Sequence, residues 1–243
     1  MKLYRIKFRH SIFSHLPKEE QAFFVRLAQV RNDLRQIDLI CLTGVQSVND
    51  TAESEKDVSL HQLMFGVRLL YGTLNEAWQI VQTGWNRSGL AKSFYPLLST
   101  DSKEALDRLK KYFGSKNLIS GIRNKFAFHY DPTIISEALL DIESKPPRNF
   151  EFVTGRTNAN VFYGFAEIVR NFAMAKATGL TMGRDAVRKL YDEPHGVYTD
   201  FTLFSDGVLL IVAEKLSMTT KVVETKAITQ MGKFPNVIFI EES

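Results

Sequence analysis

The chain holds a single cysteine, Cys41. One thiol cannot build a disulfide framework or a cysteine-ligated zinc site within one chain, so neither staple is available to the fold. A reducing cytoplasm is the compartment this usage fits. Glycine-rich phosphate loops, a Gly-x-Ser-x-Gly elbow and a His-Glu-x-x-His helix are all missing, which argues against the commoner motif-bearing enzymes. His10 and His15 flank a loop with no acidic residue at metal-ligand spacing, and neither a metal nor another cofactor is expected. The first ten residues carry no apolar signal core, and the uninterrupted apolar run at 207–213 is too short to span a bilayer. Neither secretion nor membrane insertion is expected.

What is present suits one large domain with its own core. The 243 residues are 44% hydrophobic and 24% charged, an ordinary balance for a folded globular protein. A formal charge of +4 and a pI near 9.0 favour a polyanionic partner only slightly.

Apolar periodicity supplies most of the organisation. A helix opens at Pro17, with Phe23, Leu27, Val30, Leu34, Ile37 and Cys41 at three- and four-residue steps, and is expected to end near Gly44. The polar stretch 45–57 reads as a loop. A second helix carries Leu60, Leu63, Met64, Val67, Leu70, Tyr71, Leu74, Trp78 and Val81, with Gly84 placed to stop it. Two such helices suggest an antiparallel pair. Further helices are expected from Thr100 or Ser102 to Phe113, over 117–130, 133–142 and 158–177, and in an interrupted form over 182–216, broken at Pro194-His195-Gly196. The fold class is therefore mainly α, a multi-helix bundle with a few short strands near the N-terminus, around 149–154 and at the C-terminus. The organisation expected is an arm at 1–16, a helical bundle at 17–180, and a C-terminal segment at 181–243 packed on that bundle.

One short stretch concentrates chemistry: Arg123-Asn124-Lys125-Phe126-Ala127-Phe128-His129-Tyr130, closing before Pro132. A guanidinium forks onto phosphate oxygens, and an imidazole both takes and gives a proton near neutrality. Phosphodiester cleavage needs that combination, one group moving the proton and another stabilising charge on phosphorus. Spacing alone does not single it out, because Arg5/His10, Arg9/His15 and Arg188/His195 repeat it. The Arg-Asn pair also recurs, at Arg31-Asn32 and Arg170-Asn171, without a histidine downstream. Only the Arg123 copy joins the asparagine, the apolar residues of a helix and a proline stop.

A bundle of amphipathic helices bearing Arg123, Asn124 and, after five intervening residues, His129 resembles the HEPN superfamily, from about Pro17 to Ala177 by helix order. The resemblance implies a homodimeric helical domain that cleaves RNA without metal in its active members, in toxin-antitoxin or phage-defence settings with an antitoxin protein as partner. It implies catalytic roles for His129 as acid or base, Arg123 as stabiliser of the phosphorane and Asn124 as the orienting amide. Relatives used as modification targets carry tyrosine two residues after the histidine; here Tyr130 follows directly and Asp131 comes next, so that variant does not fit. Lys125 and Tyr130 are the substrate-binding candidates, Lys125 falling on the same helical face as His129. Six residues turn a helix through about 600°, which sets Arg123 and His129 roughly 120° apart and favours assembly of the site across a two-fold interface.

The competing reading is a non-catalytic helical interaction or RNA-binding protein. In it Arg123 is half of a surface ion pair, His129 bonds a carbonyl near the Pro132 turn, and Phe126 and Phe128 are core. A basic cluster at Lys103, Arg108, Lys110, Lys111 and Lys116 serves either reading, as an RNA-steering patch or as solvated surface.

Overall fold

The computed structural model describes residues 2–7, 9–50, 56–86, 89–123, 132–144, 150, 163–216 and 219–224. In chain order the elements are β1 (Lys2–Lys7), α1 (His10–Phe13), α2 (Lys18–Asp50), α3 (Lys56–Ile80) continuing into a π turn (Val81–Trp85), α4 (Leu90–Phe94) with a 3-10 turn (Tyr95–Leu97), α5 (Thr100–Phe113), α6 (Leu118–Ile122), α7 (Pro132–Glu143), α8 (Gly164–Ala177), α9 (Arg184–Lys215) and β2 (Thr219–Glu224). The protein is mainly helical. β1 and β2 pair antiparallel, with Lys2 opposite Glu224 and Lys7 opposite Thr219. The segment expected as a strand at 149–154, Phe150 apart, and the C-terminal residues 225–243 lie outside the described residues.

The frame is the pair α2 and α3. Phe23, Leu27, Val30, Leu34, Ile37 and Cys41 from one helix and Leu63, Met64, Val67, Leu70, Tyr71, Leu74 and Trp78 from the other are buried together. Each large side chain removed from water contributes about 1.5–3 kcal/mol, so this seam is a principal source of stability. The glycines show how close the helices run. A Cβ on Gly44 would stand 2.9 Å from the Leu63 backbone, one on Gly66 2.8 Å from Cys41 Sγ, and one on Gly84 would enter the Phe23 ring. The partners fall in number as the glycines rise, which is an antiparallel crossing.

That packing corrects two expected helix ends. α2 does not stop at Gly44 but runs on to Asp50, and the polar segment read as a loop is partly helix on both sides of 51–55. At Gly84 the helix widens into a π turn that carries Trp85 into the core, against Phe204 edge-on at 5.2 Å. Both glycines serve contact between helices.

α9 is a third correction. The expected break at Pro194-His195-Gly196 is absent, and one 32-residue helix passes through Pro194. Proline has no N–H for the carbonyl four residues back, that of Leu190. The hydroxyl of Tyr71, fully buried on α3, donates to the Leu190 carbonyl at 3.1 Å instead. The helix then lies across the frame. Ser102 Oγ donates to the Leu203 carbonyl at 2.9 Å, Tyr112 Oη donates to Glu193 at 2.6 Å, and Arg31 and Arg108 pair with Asp206 at 3.0 Å and Asp200 at 2.8 Å. By length and composition α9 is also apolar enough to cross a membrane, although its longest unbroken apolar run is short. Here Phe201, Phe204, Val208, Ile211 and Val212 are buried against the other helices, and core helices pass the same test.

Candidate functional site

Arg123 is positioned by α6. The Asn117 side chain caps that helix by accepting the Ser120 N–H at 2.9 Å, and Ile119 and Ile122 are fully buried. With those two side chains anchored in the core, the next residue emerges at the surface. The Arg123 guanidinium meets Glu76 of α3 at 3.1 Å, with the two side chains 41% and 55% exposed. An ion pair this exposed contributes at most about 1 kcal/mol. Asn124, Lys125, His129 and Tyr130 lie outside the described residues, so of the expected site only Arg123 has a described position. On the far side, Pro132 is the first residue of α7.

Much of the basic cluster upstream is already engaged. Arg108 is held by Asp200 and, at 3.7 Å, by Glu104; Lys110 pairs with Asp107 at 3.5 Å; Lys103 lies over the Tyr95 ring and reaches the Pro96 carbonyl. Lys111 and Lys116 make no ion pair among the described residues, so the cationic character of this face is smaller than the sequence suggests.

A second constellation brings together residues far apart in sequence. His195 Nδ1 on α9 lies 3.5 Å from Asp38 Oδ1 on α2, Tyr191 stacks on the imidazole at 5.5 Å, and Tyr198 tilts against it at 5.8 Å. The close approach of the Asp38 carboxylate raises the imidazole above its ordinary 6.5, with burial working the other way and Asp192 adding to the rise. Cys41, one helical turn beyond Asp38, is pushed up to about 12, first by burial and then by Asp38. A thiol held protonated is a small core side chain and no nucleophile. Burial is also the first cause that lifts Tyr191 to about 12.

This constellation is what reading the sequence missed. His195, in a segment whose sequence reads as a break, is half-buried in continuous helix, and no local pattern links it to Asp38. His61 is buried within α3, which begins at Lys56. The cap of α5 is Ser99, accepting the Ser102 N–H at 3.2 Å, one residue before the expected Thr100. Among the described residues no group of three or more His, Cys, Asp or Glu side chains is arranged to hold a metal ion. No family model, no curated protein and no solved structure matches the chain.

Proposed function

We propose that the protein is a HEPN-like, metal-independent endoribonuclease that cleaves RNA by attack of the 2′-hydroxyl on the adjacent phosphate. The observation that supports this reading is the partly exposed guanidinium of Arg123 at the end of α6, paired with Glu76 at the surface and leading directly into the segment that carries Asn124 and His129. In this reading His129 moves the proton, Arg123 stabilises the phosphorane, Asn124 orients one of them, and Lys125 and Tyr130 hold the strand. RNA is the substrate class because the nucleophile is its 2′-hydroxyl. The working unit is a homodimer in the cytoplasm, acting as a toxin or phage-defence component under an antitoxin protein. The short strands at the N-terminus, around 149–154 and toward the C-terminus belong to the same reading, as additions beside the bundle.

Purified protein incubated with RNA in EDTA tests it. Wild type is expected to cut, and His129→Ala to cut about a hundredfold more slowly or less. Equal cleavage by both would assign the activity to something else and remove the proposal.

The Arg123–Glu76 pair itself favours a second reading, in which the motif is a packing element of a non-catalytic interaction or RNA-binding protein. Glu76→Gln separates the two. With the Glu76 charge removed, RNA binding strengthens and cleavage is preserved if the site is catalytic; a merely structural pair yields a small loss of stability with no cleavage to change.

A further inference from the structure

Away from Arg123, the start of α9 and the side of α8 enclose a half-open cavity of about 810 Å³. That volume lies in the range of small-molecule sites, about 300–1,000 Å³. Its wall is apolar where Leu63 and Ile168 face it, and Phe172 and Tyr191 add two flat rings. Asn171 also lines it. This side chain is 3% exposed, and its Oδ1 has no hydrogen-bond partner among the described residues. A carboxamide oxygen sealed from water and left unpaired costs about 1–3 kcal/mol, which turning the amide onto a ligand donor in the cavity recovers.

At the mouth stands the N-terminus of α9, a 32-residue helix whose cap, Gly183, provides no side chain to its first N–H groups. Such an end attracts anions. Arg184 lines the same mouth and makes no ion pair among the described residues, whereas Arg188 is held by Asp192 at 3.3 Å. Asp185 lies in the same turn and opposes an anion, so the guanidinium and the helix end must outweigh it.

We propose that this cavity binds a nucleoside monophosphate. Asn171 offers an acceptor and donors in one plane, the complement of the amide-like edge of a base. The rings and aliphatic wall accept its flat body, and Arg184 with the first turn of α9 takes the phosphate. The site rests on observations independent of the Arg123 segment and stands whether or not the protein cleaves RNA.

Calorimetric titration of the full chain with the four ribonucleoside monophosphates, the parent nucleosides and inorganic phosphate tests it. At least one monophosphate is expected to bind more tightly than its nucleoside and than phosphate. Asn171→Leu should weaken that binding about tenfold or more. Arg184→Ala, at an exposed position, should lower the affinity of the nucleotide to that of the nucleoside, and Asp185→Asn should tighten it severalfold. Absence of binding by all four monophosphates would overturn the proposal, as would affinity unchanged in both Asn171→Leu and Arg184→Ala, or phosphate alone binding as well as the nucleotide.

Discussion

At the scale of single residues, the protein shows how a side chain far away in sequence decides what a local pattern does. His195 and Asp38 make an acid-base pair that neither helix announces. Because the imidazole is raised above 6.5, the pair stabilises the fold fully below that value, and the contribution disappears as pH rises through the folded-state value. Wild type and His195→Gln should therefore differ most near pH 6 and converge at alkaline pH in chemical denaturation. With 39% of the His195 side chain exposed, the difference is expected to stay under about 1 kcal/mol. A gap that widens with rising pH would contradict the pairing.

At the scale of elements, proline and glycine carry the lesson. The periodic stripes of α2 and α3 were legible because burial follows the helical repeat directly. The ends of those helices, and the continuity of α9, were not. Glycine marks either a stop or a close contact, and proline breaks a helix unless the orphaned carbonyl finds another donor; sequence alone does not say which. Tyr71→Phe should leave the Leu190 carbonyl unpaired and cost about 1–3 kcal/mol, and Pro194→Ala, which restores an N–H, should remove most of that cost in the double variant. Additive losses would show that Tyr71 does not compensate for Pro194. Gly44→Ala should destabilise by about 1–3 kcal/mol against the Leu63 backbone. Gly196→Ala, with nothing within 4 Å of its Cβ, should stabilise α9 by about 0.5–1 kcal/mol. Urea denaturation of the two variants reads both signs.

At the scale of the whole molecule, α9 joins the frame of α2 and α3 to α5, with Phe204 and Trp85 at the junction. Phe204→Ala should cost about 3–5 kcal/mol and lower a single transition rather than detach one segment, seen as coincident far-UV and tryptophan-fluorescence melting curves. The helical class and its apolar stripes could be read from the chain; the contacts of α9 could not, since they join residues that no periodic pattern relates. Of the candidate site, Arg123 stands on the surface as an ion pair with Glu76, a partner 47 residues away that no local pattern indicates.

If Arg123 and His129 act on one phosphate from two subunits, Arg123→Ala and His129→Ala proteins, each inactive alone, should recover RNA cleavage in EDTA once they are unfolded and refolded together. Random reassortment makes half the dimers mixed, each with one intact composite site, so activity should return to roughly a quarter of wild type. A mixture as inactive as its components, or either variant cutting as well as wild type alone, would contradict the claim.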